Sequence, residues 1–129
     1  MTTKFDSGRS GRGGAYVSDH SGSLHARFMR GSAWALAPLG VLAAWIIVGL
    51  VGAPYEAARA QLGRPFPALV LIAFIGVAVY HARLGVETII EDYVHDEALK
   101  ARAFAANKWL TLAIGAVWVL SILLIAAPK

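Results

Sequence analysis

The chain has 129 residues, of which 57% are hydrophobic, and it carries a formal net charge of +4. The apolar residues form long blocks instead of alternating with charge, which is typical of an integral membrane protein. The chain has no cysteine, which excludes disulfides, thiolate catalysis and iron–sulfur ligation by its own residues. Most basic residues flank the apolar blocks, so we interpret the charge as a topology signal and expect no binding to nucleic acid.

The first 30 residues are polar, basic and rich in glycine. A phosphate-binding loop is disfavoured, because no strand pattern precedes the glycines and no Gly-Lys-Ser/Thr follows them. Such a composition is typical of a disordered arm. We therefore predict two parts, a cytoplasmic arm at residues 1–30 and a transmembrane domain at residues 31–129.

Three apolar blocks follow the arm, and each is long enough to cross a hydrocarbon core, which needs about 20 helical residues. The blocks predict an all-α integral membrane protein with transmembrane helices at about 32–53, 66–91 and 107–127. Basic residues concentrate in the arm and in the link near residue 100, whereas the link at 54–65 holds only Arg59 and Arg64. The positive-inside rule then predicts a cytoplasmic N-terminus and a periplasmic C-terminus.

The second predicted helix carries an imidazole, His81, within an otherwise apolar stretch. Ionisable groups at such depth are costly and usually functional. At 100° per residue, three other residues fall within about 40° of His81. They are Gly85, Thr88 and Asp92. Two roles for His81 stay open, a hydrogen bond to a neighbouring helix and ligation of a metal or haem iron.

A six-coordinate haem iron on His81 would need a second axial ligand. The other histidines, which we expect to lie outside the predicted helices, are His20, His25 and His95. The haem hypothesis therefore predicts that another subunit, or a second copy of this chain, supplies that ligand. Glycine at position 85 would let either a flat macrocycle or another helix approach closely.

Tyr93 follows His81 by twelve residues, or about 18 Å along a helix, which places it near the cytoplasmic interface. It can be an ordinary interfacial aromatic residue. Beside Asp92, it could instead donate a hydrogen bond to a quinone carbonyl while the carboxylate relays protons. Arg83 and Glu87 have i, i+4 spacing, and we interpret them as a structural ion pair.

Two segments resemble a known family. The first is His81-Ala-x-x-Gly85 followed by Ile90-Glu-Asp-Tyr-Val-His-Asp96, and the second is Arg30-Gly-Ser-Ala-Trp-Ala-Leu-Ala-Pro38. With the three-helix pattern from about residue 25 onward, they are similar to the small hydrophobic membrane anchor of succinate dehydrogenase. The resemblance is strongest to the alphaproteobacterial members of this respiratory complex II family.

The resemblance implies a role for each matching residue. His81 would be an axial ligand of haem b and contact its iron, with the other histidine coming from the cytochrome b556 anchor subunit. Tyr93 would hydrogen-bond ubiquinone, Asp92 would lie near the quinone site and its proton path, and Arg30 would lie near the haem propionates. The three helices would form half of a helical bundle that the partner anchor completes.

The function implied is that of a membrane anchor of succinate:ubiquinone oxidoreductase in the bacterial inner membrane, linking the tricarboxylic acid cycle to the respiratory chain. Succinate oxidation, FAD and the iron–sulfur clusters would belong to the partner flavoprotein and iron–sulfur subunits. This chain would bind and position quinone without oxidising succinate itself. The alternatives are the anchor of a quinol:fumarate reductase and a structural membrane subunit without a cofactor.

Overall fold

The structure, a computed structural model, describes residues 21–127, with side chains from residue 24. Four helices span this part of the chain. They are α1 (Ser21–Val48), α2 (Tyr55–Leu62), α3 (Pro65–Tyr93) and α4 (Glu97–Ala126). The described residues contain no strand, and three of the helices are long and apolar enough to cross a membrane. The all-α, three-span prediction is confirmed.

Two of the spanning helices begin well before the apolar blocks do. α1 begins at Ser21 instead of about residue 32, and α4 begins at Glu97 instead of about residue 107. Hydropathy marks only the membrane-embedded part of a helix, and the alanine-rich polar segment at 98–106 has high helix propensity. The boundary predicted between arm and membrane domain, at residues 30 and 31, therefore lies inside α1. The rest of the predicted arm, residues 1–20, lies outside the described residues.

The start of α4 has a defined cap. The Asp96 carboxylate accepts a hydrogen bond of 2.7 Å from the Leu99 backbone N–H, which satisfies one of the unpaired amides of the first turn. Val94, the residue that follows α3, donates its backbone N–H to the Ile90 carbonyl. Only three residues separate the two helices, so α4 reverses direction directly after α3.

α2 was not predicted, because its segment is too short and too polar to stand out among the apolar blocks. Its sequence contains three alanines, and Gly63 follows its last residue. A side chain at Gly63 would meet the Arg59 carbonyl at 3.3 Å and the Ile125 carbonyl at 3.4 Å. The glycine therefore permits the end of α2 to pack closely on the end of α4.

α3 is the central helix. α1 and α4 each pack along it in antiparallel orientation, and within the described residues α1 and α4 do not contact each other. The hydrophobic core lies toward the end that α2 covers. Its buried residues are Ala43, Ile46, Ala68, Val70, Leu71 and Ile122. Toward the other end, hydrogen bonds between side chains connect the helices.

Much of the apolar surface is exposed in the single chain. Trp34 on α1 is 81% exposed and Trp109 on α4 is 68% exposed, as are many aliphatic side chains on the same helices. Exposed apolar area of this extent marks a surface that lipid or another protein covers. The chain is a multi-pass membrane protein whose three spanning helices form an open arrangement instead of a closed bundle.

Candidate functional site

His81 is half-buried on α3 and is held by α1. Its Nδ1 lies 2.8 Å from the hydroxyl oxygen of Ser32, a buried residue of α1. The same hydroxyl donates a hydrogen bond of 3.0 Å to the Met29 carbonyl one turn earlier. The predicted hydrogen bond to a neighbouring helix therefore exists. It uses only one ring nitrogen, and Nε2 makes no hydrogen bond to the described residues.

A second imidazole lies in the same helix interface. His25 Nε2 lies 3.1 Å from the Thr88 hydroxyl, and that hydroxyl donates to the Leu84 carbonyl, also at 3.1 Å. The expectation that His25 lies outside the spanning helices is wrong, because α1 extends through it. Hydropathy missed this extension because residues 21–30 include His25, Arg27 and Arg30.

His25 and Ser32 are seven residues apart on α1, or about 10 Å along its axis. Two axial nitrogens of one iron are only about 4 Å apart, twice a typical metal–imidazole bond. His25 therefore lies too far along the interface for His25 and His81 to ligate one iron together. His95 lies beyond the end of α3, and His20 lies outside the described residues.

Gly85 lies one turn from His81 and faces α1. A side chain at this position would meet the Met29 side chain at 3.7 Å, an ordinary van der Waals distance. The sequence left two neighbours open for Gly85, a flat macrocycle and another helix. The structure shows α1 beside it.

Tyr93 and Asp92 are the last two residues of α3. The Tyr93 side chain is 78% exposed, Asp92 is also exposed, and neither side chain hydrogen-bonds to the described residues. Because α1 and α3 are antiparallel, this end of α3 lies at the same side of the molecule as the first turns of α1 and α4. Both polar groups are thus accessible to a ligand or a partner at that side.

Arg83 and Glu87 form the predicted ion pair on α3, with Nε 2.8 Å from the carboxylate oxygen Oε1. Next to the pair, the buried amide of Asn107 on α4 donates a hydrogen bond of 3.0 Å to the Arg83 backbone carbonyl. Sequence reasoning missed Asn107, although a lone amide at the polar start of an apolar block is a recognisable signal for an interhelical contact.

A shallow groove of about 430 Å³ lies between α1 and α3 beside the Ser32–His81 pair. Its lining residues are Arg27, Phe28, Gly31, Ser32, Ala35, Gly76, Val77 and Tyr80. A side chain added at Gly31 or Gly76 would meet no atom within 4 Å, so the backbone of both helices is open there. Arg27 is the charged residue of this lining, whereas the predicted Arg30 is exposed and does not line the groove.

The arrangement is thus a three-helix membrane domain with an anchored imidazole in the span and an exposed acid–phenol pair at one end. The family model described as "Succinate dehydrogenase/Fumarate reductase transmembrane subunit" matches residues 14–124. The chain belongs to this family. The family predicted from the two sequence segments is confirmed.

One curated relative of this succinate dehydrogenase/fumarate reductase subunit supports the same assignment. Over 84 residues the chain is 36% identical to the succinate dehydrogenase hydrophobic membrane anchor subunit of Paracoccus denitrificans. The aligned part covers 65% of this chain and 65% of that relative. No solved structure matches the chain.

Proposed function

We propose that this chain is the membrane-anchor subunit of a succinate:ubiquinone oxidoreductase, respiratory complex II. It attaches the flavoprotein and iron–sulfur subunits, which carry FAD and the clusters, to the cytoplasmic face of the bacterial inner membrane. The family assignment supports the anchor role. The name of the Paracoccus relative favours succinate dehydrogenase over a quinol:fumarate reductase.

The observation that carries a haem-binding role is the anchored imidazole of His81. One ring nitrogen is held by α1, and the other has no hydrogen-bond partner among residues 24–127. An imidazole with one free nitrogen, fixed within an apolar span, fits an axial ligand of haem b iron. When bound, the haem supplies one-electron redox chemistry within the membrane.

The second axial histidine would come from the cytochrome b556 anchor subunit. Along the axis of α1, His25 lies about 10 Å from Ser32, the residue that contacts His81. His25 is therefore too distant to be the second axial ligand. The open arrangement of α1, α3 and α4, with its exposed apolar faces, supports a partner that completes the bundle. In this assembly the chain forms one half of the transmembrane domain.

Two arginines of α1, Arg27 and Arg30, precede Ser32 by five and two residues. Arg30 is the residue that the family resemblance assigns to the haem propionates, and a guanidinium pairs well with a carboxylate. Arg27 is a second candidate, because it lines the groove next to Ser32. We propose that these two cations together stabilise the propionate charge.

Quinone would bind at the exposed end of α3. Tyr93 donates its phenolic hydrogen to a ubiquinone carbonyl, which orients the ring and stabilises the negative charge that develops on that oxygen during reduction. Asp92 takes up protons from the cytoplasmic water and passes them toward the reduced quinone. Neither side chain forms a hydrogen bond with another described residue, so both are available for these contacts.

The orientation follows from charge. Five of the described basic residues near the ends of the apolar blocks lie at the end where α1 begins, and two lie at the end that α2 covers. The former are Arg27, Arg30, Lys100, Arg102 and Lys108, and the latter are Arg59 and Arg64. The positive-inside rule favours a cytoplasmic N-terminal end and a periplasmic C-terminus.

The test is a reduced-minus-oxidised visible spectrum of the gently solubilised complex, combined with an assay of succinate-driven ubiquinone reduction. We expect a b-type haem band together with quinone reductase activity. Activity without the band would remove haem ligation and retain the anchor role. Absence of both would favour a structural subunit without a cofactor.

A further inference from the structure

Ser32 has a single hydroxyl hydrogen but contacts two groups. The hydroxyl donates to the Met29 carbonyl at 3.0 Å, and its oxygen lies 2.8 Å from His81 Nδ1. Ser32 is only 8% exposed, so water does not readily compete for either contact. When this hydrogen points to the carbonyl, the Ser32 oxygen accepts from the imidazole.

This donor pattern determines the state of the ring. A hydroxyl oxygen that accepts from Nδ1 requires a hydrogen on Nδ1, and in a neutral imidazole Nε2 then keeps its lone pair. If Ser32 instead donated to Nδ1, the hydrogen would lie on Nε2, and that nitrogen could not bind a metal. The back-bond from Ser32 to Met29 therefore favours the tautomer in which Nε2 is free.

We propose that Ser32 is a positioning residue that prepares His81 to ligate haem iron through Nε2. It acts on the tautomer and on the orientation of the ring, and it accepts a hydrogen bond that increases the basicity of the ligand. The proposal rests on the haem-binding role of His81 argued above. Ser32 itself touches neither the iron nor the substrate.

The second imidazole of the interface provides a contrast. Thr88 contacts His25 through Nε2 instead of Nδ1, while its hydrogen goes to the Leu84 carbonyl. The two hydroxyl–imidazole pairs have similar chemistry and lie in the same interface, but only one of them holds the proposed ligand. Loss of the Thr88 hydroxyl is therefore a matched control for loss of the Ser32 hydroxyl.

The experiment compares Ser32→Ala and Thr88→Val with the wild type in the purified, fully assembled complex. Three properties of the haem are measured: its retention during detergent dilution, its midpoint potential, and the g-values of its ferric low-spin signal. In Ser32→Ala we expect roughly 10- to 100-fold weaker haem retention. We also expect a higher midpoint potential, because a less basic ligand stabilises ferric iron less, and altered g-values, because the ring is free to rotate. Thr88→Val should match the wild type in all three.

Wild-type haem properties in Ser32→Ala would overturn the inference while leaving His81 as a ligand. A wild-type complex without haem would instead contradict the proposed haem-binding role of His81, so the two failures are distinguishable. If Ser32→Ala does not assemble, Ser32→Thr decides, because it retains a hydroxyl that can bond the preceding turn. Wild-type g-values and midpoint potential in Ser32→Thr would support the inference, and altered values would overturn it.

Discussion

His25 Nε2 on α1 lies 3.1 Å from the Thr88 hydroxyl on α3. Ser32 follows His25 by seven residues on α1, and His81 precedes Thr88 by seven residues on α3. Ser32 and His81 make the equivalent contact between a hydroxyl and an imidazole. The spacing of seven residues corresponds to about two helical turns, so both pairs lie on one face of each helix. Together they define the antiparallel register of α1 on α3 at the end of the molecule that lacks the hydrophobic core.

Removal of the Thr88 hydroxyl should weaken this interface without altering the proposed haem site. Hydrogen bonds between membrane helices contribute modestly, so we expect Thr88→Val to lower the free energy of unfolding by about 1 kcal/mol. Unfolding of the detergent-solubilised chain in sodium dodecyl sulfate measures the loss. Ser121→Ala is the control, because among the described residues that exposed hydroxyl bonds only the Val117 carbonyl of its own helix. An equal loss in both variants would refute the interhelical contribution.

Replacement of His81 by alanine should remove the low-spin b-type haem spectrum, because the iron loses one of its two proposed axial ligands. The visible difference spectrum of the purified complex measures this loss. His95→Ala is the matched control, since His95 is exposed in the link between α3 and α4. A low-spin spectrum that survives in His81→Ala would remove this residue from the iron.

Tyr93→Phe should reduce succinate–ubiquinone turnover, because the quinone loses its proposed hydrogen-bond donor. A loss of about 10- to 100-fold is expected for one donor to a developing charge at an exposed site, somewhat less than for a fully enclosed one. Succinate oxidation with artificial dyes should remain nearly unchanged. Tyr55→Phe, an exposed tyrosine at the opposite end of the molecule, controls for loss of a phenol. Equal loss of dye and quinone activities would argue against a quinone role for Tyr93.

The Arg83–Glu87 pair should show energetic coupling. Arg83→Met leaves a carboxylate without its cation within the span, and Glu87→Gln leaves an unpaired guanidinium. The double variant should therefore be more stable than the sum of the single effects predicts, by roughly 0.5–3 kcal/mol. A double-mutant cycle measured by unfolding in detergent tests this expectation. Additive effects would show that the two charges act independently.

Properties that depend on local sequence were predictable. A block of apolar residues partitions into lipid wherever its neighbours lie, so the three spans and the all-α fold followed from hydropathy. The Arg83–Glu87 pair followed from i, i+4 spacing, because helix geometry places these positions together without any tertiary contact. The His81-to-Tyr93 motif likewise carried the family resemblance, since both residues lie on one helix.

Contacts between helices were decided only by the tertiary structure. No spacing within α1 or α3 shows that Ser32 meets His81, because the register of two helices depends on how all three pack together. The same holds for Asn107 on α4, which meets the Arg83 carbonyl, and for Gly63, where α2 closes on α4. The sequence alone thus determined the membrane spans and the candidate residues, whereas the packing of α1 on α3 decided which ring nitrogen of His81 contacts Ser32.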